Sequence, residues 1–215
     1  MIDKRRSAFT LAEVLITLAI IGVIAAISVP SLIQKTNQAE LITAWKKTFA
    51  TLSQATSQYA FEAGTIPKYT NAYQYSNAYA NYLKIIKSCE YPNIAGNCWH
   101  KKSEYFNFDG TPNSYDYNEV RNATDILSSG VLLNFYTESS GTQYTCVSSP
   151  TYNQLHGVGT CVQLEVDVNG FKGPNTIGKD IYGAYLYSDG MLMPFSPDTE
   201  PNGGWANSAN NLYSK

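Results

Sequence analysis

The chain has 215 residues, with 15 Lys plus Arg against 17 Asp plus Glu, a formal net charge of −2, and only 15% charged residues. That length accommodates one modest core beside a membrane span, and that balance excludes nucleic-acid binding through an overall basic field. Tyrosine is abundant at 17 copies, all after residue 34, and its apolar ring with a polar tip suits a surface that both stacks on neighbours and faces water.

In chain order, Lys4, Arg5 and Arg6 precede an uncharged run from Val14 to Gln34. These roughly 21 residues, at ~1.5 Å each, cover a ~30 Å hydrocarbon core. The run is longer than the apolar core of a signal peptide. Because the basic residues come first, residues 1–8 are expected on the cytoplasmic side and everything after about Lys35 outside. Glu13 stands at the mouth of the run. A charge carried toward the bilayer centre costs at least ~2.5 kcal/mol, although the dipole of a helix start favours an anion. No cation follows Glu13 one turn later in the helix.

The order Ala8-Phe9-Thr10-Leu11-Ala12-Glu13, after a basic leader and before an apolar run containing Pro30, resembles the class III signal of type IV prepilins and type II secretion pseudopilins. The resemblance implies that a prepilin peptidase cuts between Ala8 and Phe9 and methylates the new amino terminus on Phe9. It also implies that Glu13 neutralises the terminal ammonium of a neighbouring subunit during filament assembly. Pro30 falls where the family kinks its helix, and Gly22 is a second weak point. One departure is Ala8, where the family prefers Gly. Loss of residues 1–8 removes three basic residues and one acid, leaving 12 Lys plus Arg against 16 Asp plus Glu.

The helical pattern continues beyond the span. Leu41, Trp45, Phe49, Leu52, Ala55 or Thr56, and Tyr59 form an apolar stripe opposite Lys46, Lys47, Gln54 and Gln58, and Gly64 with Pro67 gives the stop signal. Residues 9–63 are therefore read as one helix, with a membrane half at about 14–34, and residues 64–215 as the head that covers its outer half. If straight, that helix is ~80 Å long. A second helix is expected within Asn71–Lys87, from Tyr75, Tyr79, Tyr82, Leu83 and Ile86, and a long loop from Glu90 to Asp125. Strands are expected at Val131–Tyr136, Gln143–Val147, Cys161–Val168, Ile181–Tyr187 and Met191–Phe195. In the third, Val162, Leu164, Val166 and Val168 mark a face for the helix stripe, and Gln163, Glu165 and Asp167 mark the opposite one. The fold class is α+β: a long N-terminal helix against an antiparallel β-sheet head, as in pilins.

Four cysteines allow three pairings, and outside the cytoplasm disulfides are the default. Cys89 with Cys98 and Cys146 with Cys161 are preferred, because each pair is close in sequence and brackets turn residues. No C-x-x-C occurs, which disfavours zinc despite His100 and His156. Between Asp167 and Asp180, the side chains of Asp167, Asn169, Asn175 and Asp180 are candidate calcium ligands, although the spacing is not that of an EF-hand. Calcium in some major pseudopilins adds to this by resemblance only, and the competing reading is that these residues cap turns.

No nucleophile elbow, phosphate-binding loop or zincin motif surrounds either histidine, so no enzyme and no cofactor other than calcium is expected. The reading is a filament subunit, either a type II secretion pseudopilin or a type IV pilin, whose partners are the bacterial inner membrane, prepilin peptidase, and copies of itself and related pilins. It begins as a single-pass precursor with an extracytoplasmic head, and ends in a periplasmic or cell-surface filament. The alternative is a signal-anchored ligand-binding module that never polymerises and keeps its leader.

Overall fold

The structure is a computed structural model that describes residues 10–119, 121–137, 146–148, 159–196 and 204–214. It comprises two compact units, residues 1–40 and 41–215. The first helix, α1 (Leu11–Ala63), begins in the first unit, where none of the described side chains is buried. It carries a stretch long and apolar enough to cross a membrane.

The second unit is built on the stripe read from the sequence. Trp45, Leu52, Ala55, Thr56 and Tyr59 of α1 are buried, and Leu41 and Phe49 are partly so. They pack with Leu133 and Phe135 of β3 (Leu132–Tyr136) and with Val162, Leu164 and Val166 of β5 (Gly159–Asp167). Each such side chain contributes about 1.5–3 kcal/mol by leaving water, and none of them can do so on an isolated helix. Ala63 ends α1, and Gly64 follows at φ 78°, the left-handed conformation that terminates helices without a Cβ penalty.

The sheet is antiparallel, in the order β1-β2-β3-β5-β6-β7, with β4 (Val147–Ser148) paired to β5. Its other strands are β1 (Ile85–Glu90), β2 (Asn122–Leu127), β6 (Ile181–Tyr187) and β7 (Leu192–Pro194). The fold is thus α+β and pilin-like, a long N-terminal apolar helix with an antiparallel sheet. The expected strands around 131–136, 161–168, 181–187 and 191–195 are present within one or two residues at each end. Of the strand expected at Gln143–Val147, residues 143–145 lie outside the described residues.

Two expectations are corrected. The second helix, α2, covers only Ala72–Tyr79 rather than running on to Lys87. Asn71 caps its start by accepting from the Gln74 amide, and the chain then enters β1, which pairs with β2. Ile85 and Ile86 are β-branched and suit a pleated edge, so tertiary pairing overrode the helical spacing that Tyr82, Leu83 and Ile86 had suggested. The expected loop from Glu90 to Asp125 hides most of β2, whose Asn122, Thr124 and Asp125 are buried polar residues. Hydrogen bonds account for two of them: Asn134 Nδ2 donates to Asn122 Oδ1, and Ser76 Oγ to Asp125 Oδ1.

The face of β5 opposite the helix is also covered. Glu165 and Asp167 are 7% and 0% exposed, because the chain between β1 and β2 folds over them. There Ile94, Trp99, Tyr105 and Tyr117 form a second core with Leu132 and Ile181. A C-terminal helix, α3 (Asn207–Tyr213), was not foreseen. It is tied in by Trp45 Nε1 donating to the Ser208 carbonyl at 2.9 Å and by Ser208 Oγ accepting from the Gly183 amide at 2.9 Å.

Candidate functional site

The N-terminal motif is built around the first turn of α1. Glu13 Oε2 accepts from both the amide and the hydroxyl of Thr10 at 2.8 Å, while Thr10 Oγ1 accepts from the Glu13 amide at 3.3 Å. This reciprocal arrangement is a capping box, written in the sequence as Thr10-x-x-Glu13. Reading Glu13 only as a charge in search of a cation missed it, although the T-x-x-E spacing signals it. The cap serves amides that the helix cannot bond itself, and the helix dipole favours the same carboxylate. Oε2 receives both Thr10 donors, which leaves Oε1 as an acceptor for a further partner.

Ala8 and Phe9, the residues at the expected cut, lie outside the described residues. Downstream, α1 is continuous through Gly22 and Pro30. A Cβ at Gly22 would meet nothing within 4 Å. Hydroxyls near Pro30 turn back onto the helix: Ser28 Oγ donates to the Ile24 carbonyl, and Ser31 Oγ to that of Ser28 at 3.0 Å. They keep polar groups satisfied inside an apolar surface. Leu15, Leu18, Ile21, Ile24 and Ile27 are all more than half exposed, so this apolar surface finds no cover among the described residues of its own unit.

In the head, the cysteines form Cys89–Cys98 and Cys146–Cys161 disulfides. The first ties β1 to the segment that forms the second core. The second joins β5 to the residue preceding β4. His100 does not face a nucleophile: its Nε2 lies 2.8 Å from Asp167 Oδ2, and both residues are buried. Burial pushes the Asp167 carboxyl up to about 6, with the His100 hydrogen bond opposing that rise and the Asp180 charge adding to it. His156 lies outside the described residues.

The four candidate calcium ligands fall in one turn-rich segment. Asp167 Oδ1 accepts from the Asn169 amide at 3.1 Å. Asp180 accepts from the amides of Asn175 and Thr176 at 2.7 and 2.6 Å. Burial raises the Asp180 carboxyl while these amide bonds pull it down. The two aspartates therefore cap turns, as local side-chain-to-backbone bonding predicts. Asn169 Oδ1 and Asn175 Oδ1, in contrast, are buried acceptors without a hydrogen-bond partner. Hard oxygen donors of this kind suit calcium. Among the described residues, no group of three or more His, Cys, Asp or Glu side chains is arranged to hold a metal ion, so any site must rely on the asparagine oxygens.

Residues 3–29 match the family model described as the prokaryotic N-terminal methylation motif. No curated protein and no solved structure matches the chain. The matched segment contains the basic residues, Ala8-Phe9, the Thr10–Glu13 capping box and most of the apolar run, which together mark substrates of prepilin peptidase and go with association with a membrane. The chain thus carries the prepilin-type N-terminal methylation motif of type IV pilins and pseudopilins.

Proposed function

We propose that this protein is a structural subunit of a type IV filament system, a pilin or pseudopilin, with no catalytic activity of its own. The observation that carries the reading is the methylation motif at residues 3–29 on a helix whose apolar surface finds no cover within its own unit. The precursor sits in the inner membrane with its head extracytoplasmic. Cleavage before Phe9 exposes an ammonium, and Glu13 of a neighbouring copy accepts it through Oε1 while Oε2 keeps its Thr10 bonds. Desolvated in a helix bundle, that pair fixes register more than it adds net stability, since removing one partner of a buried ion pair costs about 3–5 kcal/mol while forming it gains little.

Intact-mass and amino-terminal analysis of the protein from its native membrane tests this directly. A mature chain starting at N-methylated Phe9 is expected; a chain retaining residues 1–8 would favour a membrane-anchored binding module instead.

Calcium is a second, structural element of the reading, carried by the two unpartnered asparagine oxygens beside Asp167 and Asp180. A bound ion would draw on Asp167, Asn169, Asn175 and Asp180 and brace the β5–β6 connection. The head is expected to melt several degrees higher in millimolar calcium than in EGTA. An unchanged melting temperature excludes the site.

A further inference from the structure

The head carries an apolar groove and an apolar knob at opposite ends. The groove, about 440 Å³, lies between α1 and the β2–β3 turn. Leu52, Leu127, Val131 and Val168 contribute apolar lining, and Lys47 and Lys84 stand on its walls. The ion pairs among the described residues are His100–Asp167, Lys101–Glu104 and Arg121–Glu119, so neither groove lysine has a carboxylate partner among them.

The knob is the exposed ring of Phe61, near the end of α1, which lines an open depression together with Met191 and Asp189 of the β6–β7 turn. Phe61 is 88% exposed, more than any other large apolar side chain among the described residues of the head, and Met191 is 40% exposed. The turn is seated firmly on α1: Gly190 has φ 83°, and a Cβ there would come within 2.4 Å of the Ala60 Cβ. Asp189 spends one oxygen on the Met191 amide at 2.9 Å and presents the rest of its carboxylate to solvent.

Their placement is complementary. Leu132 pairs with Asp167 and Ile181 with the same Asp167, so the β2–β3 turn lies at that end of the sheet; Tyr187 pairs with Thr160, which puts the β6–β7 turn at the other end. On α1, Ala44, Lys47 and Thr51 beside the groove and Ser57, Ala60 and Phe61 beside the knob flank the buried stripe on opposite sides, at ~3.6 residues per turn. Phe61 is also roughly 20 Å further along the helix axis than Lys47. A knob and groove on different ends and flanks suit a heterologous contact, which gives a ring where the rotation closes and an open filament where it does not; the filament reading selects the open form.

We infer that the groove receives the Phe61 knob of a second copy of this chain, with Asp189 of that copy meeting the Lys47 and Lys84 ammoniums. The contact rests on the filament reading and adds to it the head-to-head joint. The apolar floor supplies the binding energy, and the opposite charges fix the partner and its orientation.

The test uses the full-length chain in cells that process it, reading sedimentable filament together with amino-terminal processing and disulfide content. Phe61→Ser, at a side chain with almost no intramolecular cover, is expected to lower filament yield about ten-fold with processing and both disulfides intact. Lys84→Glu is expected to do the same, and Lys84→Glu combined with Asp189→Lys to recover most of the yield. Tyr213→Ser, at another exposed ring, is expected to leave it unchanged. Normal yield from Phe61→Ser, or no recovery in the charge-swapped double variant, overturns the contact. A processed wild-type chain that never forms filaments overturns the filament reading itself, and the two failures are thereby told apart.

Discussion

Residues 10–40 and residues 41–214 use apolar side chains in opposite ways. In the first region Leu11, Ile21, Ile27 and Leu32 are 62% or more exposed; in the second Trp45, Leu52, Tyr75, Phe135 and Leu164 are fully enclosed. The first region satisfies its backbone locally, through the helix, the Thr10–Glu13 box and hydroxyls bonded to the preceding turn. The second adds long-range strand pairing and is cross-linked by two disulfides. A helix that meets its hydrogen-bonding needs alone and leaves its apolar surface bare is suited to lipid or to other helices, whereas a head that encloses its apolar surface folds on its own account.

The largest effect expected from this contrast is on assembly. Glu13→Ala should leave membrane insertion and head folding intact yet abolish filaments; normal filaments from that variant would remove Glu13 from the mechanism. The next separates the regions from the other side. Trp45→Ala takes away a side chain with no exposure, its stacking on Tyr182 at 4.8 Å and its bond to Ser208, and should destabilise the head by about 3–5 kcal/mol without affecting insertion. Chemical denaturation of the head measures it.

Replacing Cys89 and Cys98 together by Ser opens a short loop and should cost about 2–3 kcal/mol, loosening first the segment between β1 and β2. Hydrogen exchange confined to that segment is the expected signature; uniform loss across the sheet would mean that the two cores are one cooperative unit.

The smallest effect concerns Asp125, buried on β2 with Oδ1 held by Ser76 and Oδ2 without a partner. Burial raises its carboxyl, so over the window between its unfolded value and the raised one the folded head holds a proton that the unfolded chain has released. Stability therefore falls as pH rises through that window. Asp125→Asn should remove this slope and gain on the order of 1 kcal/mol at neutral pH. Melting curves from pH 4 to 7 that remain parallel for the two proteins would contradict it.

How far the sequence carried depends on the range of the signal. The span, the stripe on α1 and strand β5 are periodic over many residues, and the fold recovers them. The second helix was overextended because Tyr82, Leu83 and Ile86 keep helical spacing by coincidence, and pairing with β2 decides otherwise. β2 itself gave little sign, since Asn122, Thr124 and Asp125 look like loop residues until partners from α2 and β3 are counted. At the N-terminus the motif was visible residue by residue, but the local partner of Glu13 was a spacing that had to be read as a cap.

By itself, the sequence determined the membrane-length helix, its prepilin-type motif, the α+β class and the preferred cysteine pairs, because each rests on neighbours in the chain or on short loops. Only the tertiary structure decided that both faces of the sheet are covered, that His100 bonds Asp167, and that an apolar groove and a bare phenylalanine stand at opposite ends of the head. Those features depend on which distant segments meet, and contacts between distant segments leave no period in the sequence.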